Sequence, residues 1–296
     1  MGTDTEAQHN NVKFQDRGKL YLCPTPIGNL GDITERTLEI LHTAEVIAAE
    51  DTRNTLKLLN HFGIRSPLTS YHEHNKYDKA EELVSAMLKG KAVACVTDAG
   101  TPGISDPGEA LVNKAIEAGI NVISLPGATA FVTALTVSGL PARRFVFEGF
   151  LPKDKKERRS ILEGISDEQR TLIFYEAPHH LRDTLTDLKQ ALGGNRRIAL
   201  CRELTKLHEE ILRMTIEEAG IYYEEKEPKG EFVLVIAGRD DRFDEASWEG
   251  LSVNGHIDFY VSQGFDRKEA MKLAAKDRGV TKSELYREAL CQDSSN

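Results

Sequence analysis

The chain has 296 residues, 40% of them hydrophobic and 29% charged, with a net charge of −9. At about 150 residues per domain this predicts two domains with a short appendage, large enough to fold without disulfide staples, and an acidic balance that does not advertise a nucleic-acid partner, which needs clustered Lys and Arg. No apolar run approaches the ~20 residues of a membrane-spanning helix, and the polar segment Met1–Asp16 has no apolar signal-type core, so it reads as a loose arm on a cytoplasmic protein.

From Lys19 onward short apolar strands alternate with amphipathic helices. Strands are expected at 19–24, 45–51, 91–97 and 121–125, and helices at 33–44, 52–62, 76–90 and 107–119. The last of these has Pro near its start and Gly past its end, the usual asymmetry. Strands separated by helices of this length predict a mostly parallel sheet covered on both faces. The pattern changes at 143–152. A charged segment follows at 153–165, then a strand at 171–177, a helix over about 178–192, and strands at 197–204 and 231–238. The expected organisation is therefore an arm (1–18), an N-terminal α/β domain (19–143), a second α/β domain with a mixed sheet (144–242) and a helical C-terminal unit (243–296). Within that unit helices are expected near 253–263, 266–277 and 281–290. The turn at 277–284 resembles that of a helix-turn-helix, although a plain helical cap fits as well.

The cysteines Cys23, Cys95, Cys201 and Cys291 are far apart and form no C-x-x-C; the first three sit in apolar runs and read as buried, reduced thiols. Three loops rich in Gly, Pro and Asp each follow an expected strand: Pro24–Asp32, Asp98–Gly108 and Leu125–Ala130. In open α/β sheets ligands bind beyond the carboxyl ends of strands, so the three loops are expected to converge on one crevice. Asp98–Gly108 carries the strongest signal, with more Gly, Pro and carboxylate than a connector needs. Dinucleotide (G-x-G-x-x-G), P-loop and H-E-x-x-H signatures are absent. His72 and His74 lie two apart on a loop and read as ordinary loop histidines rather than a metal pair. What remains suits a mostly neutral, adenosine-containing ligand held by backbone groups and a few carboxylates.

The segments PTPIGNLGDITERTLEIL, AAEDTR (48–53), SYHEHN (70–75), TDAGTPGISDPG (97–108) and LPGATA (125–130) resemble the tetrapyrrole methylase superfamily. Together with FEGFLP (147–152), FYEAPHHL (174–181), LCRELTK (200–206) and GEFVLVIAG (230–238) they resemble its small-subunit ribosomal RNA methyltransferases, over roughly residues 19–290. Thr97 stands where the family more often has Ser or Gly. The resemblance implies methyl transfer from S-adenosyl-L-methionine to a cytidine ribose 2′-hydroxyl of small-subunit (16S) rRNA, with no metal, by a homodimer. It implies cofactor contacts at Asp98, Gly103, Ile104, Asp106, Thr129 and Ala130, and more weakly at Tyr175 and Ala177. Expected bases or orienting groups near the acceptor are Asp51, Arg53, Glu176, Glu203 and Lys206, all at or just past strand ends.

An RNA or 30S partner must be squared with the net charge. Local basic spots exist at 153–159, Arg143-Arg144 and Arg196-Arg197, compatible with a structured RNA read by shape. Two other readings compete: methylation of a tetrapyrrole ring, and a non-catalytic ribosome-binding module that keeps the loops as structure.

Overall fold

The computed structural model describes residues 18–239, 251–262 and 265–293. The expected arm and nearly all of the acidic stretch at 239–250 lie outside them. By internal packing the chain divides into a unit through Gly238 and a second unit after it.

The first unit opens with β1 (Lys19–Leu22), α1 (Glu35–Thr43), β2 (Val46–Ala49), α2 (Thr52–His61), β3 (Leu68–Ser70), α3 (Lys76–Leu88), β4 (Val93–Val96), α4 (Gly108–Glu117) and β5 (Asn121–Ser124). The strands form one parallel sheet in the order β3-β2-β4-β1-β5. Because side chains alternate across a strand, Leu20, Leu22, Val93 and Cys95 pack with α3 and α4 on one face. Their neighbours Cys23, Ala94 and Val96 pack with Leu41 of α1 and Leu59 of α2 on the other. The chain leaves β1 toward β2 and leaves β4 toward β5, in opposite directions along the sheet. A topological switch point therefore lies between β1 and β4, the usual place for a ligand crevice.

The expected boundary at 143–144 falls between α5 (Ala130–Ser138) and β6 (Phe145–Phe150). Beyond it come α6 (Lys155–Gly164), β7 (Thr171–Glu176), α7 (Leu181–Leu192), β8 (Arg197–Arg202), β9 (Glu210–Thr215), α8 (Ile216–Glu225) and β10 (Phe232–Ile236). The second sheet runs β6-β7-β10-β8-β9, with only the β6–β7 pair parallel. One face is covered by α7 and α8 through Leu185, Leu188, Ile216 and Tyr223. On the other face, Ile173, Ala199, Val233 and Val235 pack with Ala134 and Leu135 of α5 and with Ile27 of the loop after β1. That packing joins the two lobes.

Helix starts follow their caps. Thr34 accepts the Thr37 N–H at 3.1 Å, Asp51 accepts the Arg53 N–H at 2.8 Å, and Thr215 with Glu218 forms a full capping box on α8. The helix expected from 178 begins at Leu181 instead, after a 3-10 turn at Pro178–His180. The charged segment expected at 153–165 forms α6, capped by Asp154.

The second unit holds α9 (Val253–Ser262), α10 (Arg267–Asp277) and α11 (Lys282–Asp293) around Val253, Ile257, Ala270, Ala274 and Leu285. Its α10–α11 turn uses Gly279 at φ 65° and a reciprocal Thr281–Glu284 cap. Among the described residues no helix is long and apolar enough to cross a membrane.

Candidate active site

The three Gly/Pro-rich loops leave the adjacent strands β4, β1 and β5 and are tied together. Thr25 and Gly100 exchange two backbone hydrogen bonds at 2.9 and 3.0 Å. The Thr101 hydroxyl donates to the Ala128 carbonyl at 3.0 Å and lies 2.8 Å from the Thr129 hydroxyl. A side chain on Gly127 would collide with the Pro24 ring, so that glycine is what lets the first and third loops touch.

Asp106 builds the central loop from inside. Its carboxylate accepts the N–H groups of Gly103 (2.8 and 2.9 Å), Ile104 (3.1 Å) and Gly108 (2.7 Å). Gly103 sits at φ 88° and Ser105 at φ 62°, left-handed conformations that the carboxylate holds in place.

Between this loop and the second sheet lies a cavity of about 430 Å³, within the ~300–1,000 Å³ range of small-molecule sites. Asp98, Ile104, Asp106, Thr129 and Ala130 line it from the first lobe. Tyr175, Glu176, Ala177, Glu203 and Lys206 line it from the second. Among the described residues Asp98 accepts one hydrogen bond, from the Asp51 N–H at 3.1 Å, and these residues leave it lone pairs to offer the cavity it lines.

Three residues singled out in the sequence stand outside the lining. Gly103 shapes the loop. Asp51 caps α2 and takes the Arg53 guanidinium at 2.7 and 3.1 Å. Those hydrogen bonds hold its carboxyl at about 2, below the usual 3.8. The Asp51–Arg53 pair thus positions Asp98 through a backbone N–H rather than facing the cavity.

The second-lobe wall is more constrained than its sequence suggests. Glu176 is 5% exposed. It accepts the Ala177 N–H at 2.7 Å and the Thr184 hydroxyl. Thr184 in turn accepts Arg158 at 2.7 Å, and Arg158 pairs with Asp187 at 2.6 Å. Arg159 pairs with Glu163 at 2.7 Å. Two cations of the basic run at 153–159 are therefore occupied within the fold. The Tyr175 ring lies 5.0 Å from Phe147 and 5.4 Å from Phe150, and burial pushes its phenol up.

Glu203 and Lys206 form one unit. Lys206 Nζ lies 2.8 Å from Glu203 Oε1 and 2.8 Å from Glu231 Oε2. The Glu231 N–H donates to the same Glu203 Oε1 at 3.0 Å, and among the described residues no hydrogen bond engages Glu203 Oε2. Burial works to raise the Glu203 carboxyl, but the hydrogen bonds from Lys206 and the Glu231 N–H outweigh it and leave it below 4.5. Burial likewise works to lower Lys206, and its two carboxylate partners outweigh it and leave it above 10.5. Between those values Lys206 rests as a cation and Glu203 as a carboxylate able to accept a proton. Gly230 makes room, since a Cβ there would strike the Glu203 side chain.

Among the described residues the only non-glycine left-handed positions are Ser105, Glu203 and Thr205. Two line the cavity and the third adjoins it, a concentration of backbone strain of the kind found at functional sites. Sequence reasoning missed Glu50, Phe150 and Glu231 in the lining. All three lie inside segments that carry the family resemblance (Glu50 in AAEDTR, Phe150 in FEGFLP, Glu231 in GEFVLVIAG), but nothing in those segments marked them out individually. Cys23, Cys95 and Cys201 are buried and free, and burial raises all three thiols, Cys23 and Cys201 to about 12. The rings of His72 and His74 are 6.0 Å apart. Among the described residues no cluster of three or more His, Cys, Asp or Glu is arranged to hold a metal.

The family model for Tetrapyrrole (Corrin/Porphyrin) Methylases matches residues 19–220. The chain is 50% identical to the Ribosomal RNA small subunit methyltransferase I of Halalkalibacterium halodurans, over 95% of this chain and 98% of that one. It is 46% identical to the protein of the same name from Escherichia coli O157:H7, over 96% and 99%. Among solved structures it is similar to the methyltransferase CobJ (TM-score 0.57, 20% identity, covering 75% of this chain and 100% of that one). It is also similar to uroporphyrin-III C-methyl transferase from Thermus thermophilus complexed with S-adenyl homocysteine (TM-score 0.53, 18% identity, 74% and 97%). At those identities the structures speak to the fold alone.

Proposed function

We propose, from the premise that the chain belongs to the ribosomal RNA small subunit methyltransferase I family of tetrapyrrole-methylase-fold enzymes, that it methylates a cytidine ribose 2′-hydroxyl of small-subunit rRNA with S-adenosyl-L-methionine as donor. The observation that carries the site assignment is the cavity at the β1–β4 switch point, walled by the Asp106-braced loop on one side and the Glu203–Lys206 unit on the other.

The cavity fits the donor. Ile104 and Ala130 offer apolar walls, the backbone of Ala99–Thr101 borders the space, and Asp98 keeps lone pairs for an amine or ribose hydroxyl. Bound there, the donor supplies a methyl group on a sulfonium whose leaving group is a neutral thioether, so no metal is required to stabilise departure. The protein's own work is alignment and exclusion of water, which supplies up to ~7–11 kcal/mol of barrier reduction. With the donor bound, Glu203 Oε2, which no described residue hydrogen-bonds, would take the proton of the acceptor hydroxyl. Lys206 holds that carboxylate in place. Asp51, Arg53 and Glu176 act by positioning Asp98 and the end of β7.

The homodimer and the cytoplasmic setting of ribosomes belong to the same proposal. Val132 and Phe145, 46% and 39% exposed, supply an apolar surface for a second copy.

Titration calorimetry tests the site. Saturable binding of S-adenosyl-L-methionine is expected for the wild type. Ile104→Glu, which adds a carboxylate beside Asp98 and Asp106, should weaken it by more than about tenfold, through an unpaired charge in a half-buried pocket. Equal binding by both proteins would remove the donor from this cavity.

A further inference from the structure

Beside the donor cavity lies a second one, of about 360 Å³, that shares Thr97 and Asp98 with it. Its walls are the loop after β1 and one face of α2, where Asn54, Lys57, Leu58 and His61 fall three and four residues apart. Helix α2 contains no Asp or Glu, in a chain whose net charge is −9. Its Arg53 is neutralised by Asp51, whereas Lys57 is exposed and has no ion-pair partner among the described residues. Leu30, 42% exposed, and Leu58 give the cavity an apolar surface.

Gly28 connects this space to the reacting groups. It lines the second cavity, and a Cβ on it would run into the Lys206 stem and the Thr205 hydroxyl. Whatever occupies the second cavity therefore has Asp98 of the donor site on one side and the Glu203–Lys206 turn on the other.

We infer that this second cavity is the subsite for the acceptor nucleotide. The base lies against Leu30 and Leu58 with its polar edge toward Asn54, and an adjoining phosphate pairs with Lys57. This assignment rests on the RNA-methylation reading. It explains how an acidic protein engages RNA at the reacting centre: a lysine without an ion-pair partner among the described residues stands on an acid-free helix at this cavity, whereas the neighbouring Arg53 and Lys206 are paired with carboxylates.

The test is steady-state methyl transfer to unmodified 30S subunits over a salt series, with donor affinity measured on the same preparations. Lys57→Gln is expected to raise KM for the subunit and to lower the slope of log KM against log salt by about 0.7–0.9, the signature of one lost phosphate contact. Lys57→Arg should restore the slope. Asn54→Ala should raise KM with the slope unchanged, and donor affinity should stay at the wild-type value in all three. A wild-type KM and slope in Lys57→Gln, with an active wild-type enzyme, would overturn the subsite alone. A wild type that binds donor but methylates no subunit would overturn the RNA reading and the subsite with it.

Discussion

Asp106→Ala is expected to lose methyl-donor binding and, with it, folding stability of about 2–3 kcal/mol. The substitution strips the acceptor from three backbone N–H groups at once, those of Gly103, Ile104 and Gly108. Hydrogen bonds to a charged group contribute roughly 1.5–3 kcal/mol each, and neighbours in one network do not add in full. The loop would then have nothing to hold Ser105 at φ 62°, and the Ile104 wall would lose its fixed position. Donor affinity should fall by more than about tenfold, since a loop that must order on binding weakens binding by the cost of ordering it. Calorimetry and thermal denaturation of the same variant separate the two effects. A destabilised variant with wild-type donor affinity would show that Asp106 braces the fold without shaping the donor site.

Glu203→Gln should lower kcat by about 10²–10⁴-fold, the usual contribution of a positioned general base, with KM for both substrates little changed. Among the described residues the two hydrogen bonds to Glu203's side chain both go to Oε1, from Lys206 Nζ at 2.8 Å and the Glu231 N–H at 3.0 Å. A glutamine carbonyl oxygen in that position keeps both. The substitution therefore exchanges only Oε2 for an amide that cannot take a proton. Lys206→Ala is the complementary case: it leaves Glu203 and Glu231 without their shared cation and should raise KM as well as lower kcat. If Glu203→Gln keeps the wild-type kcat, the carboxylate is a structural partner of Lys206 and the proton leaves by another route.

The layout of the first lobe was legible because its signals are local. Alternating apolar strands and capped amphipathic helices located its strands and helices except the three-residue β3 and helix α5. The loops were legible because no connector needs the Gly, Pro and Asp content of Asp98–Gly108. Helix α5 was not legible. AFVTALTVS is apolar nearly throughout, so it has no amphipathic stripe, and the reason is tertiary: it is packed between the lobes. Strand β9 and helix α8 escaped because EILRMT is half-buried without clear alternation. At the site, residue type predicted which side chains gather but not what they do there. Asp51, Asp106 and Glu176 carry the chemistry of bases, yet their carboxylates are committed to a cap, a loop and a Thr184–Arg158 relay. The partners of Asp51 and Asp106 lie only two or three residues away, but the backbone turn that aims those N–H groups at the carboxylate is not written in residue type; Arg158 reaches Thr184 from another helix, and only the fold supplies it.

The claim on which everything else depends is that a donor held beside the Asp98–Gly108 loop gives its methyl group to small-subunit rRNA. Mass-spectrometric mapping of that rRNA, taken from cells lacking this gene and then incubated with the purified enzyme and S-adenosyl-L-methionine, tests it most directly. One cytidine should acquire a single ribose methyl group in the presence of wild-type enzyme, and none should with Ile104→Glu. An rRNA that stays unmodified, gains the methyl on a base, or is methylated equally by the blocked variant would contradict the account.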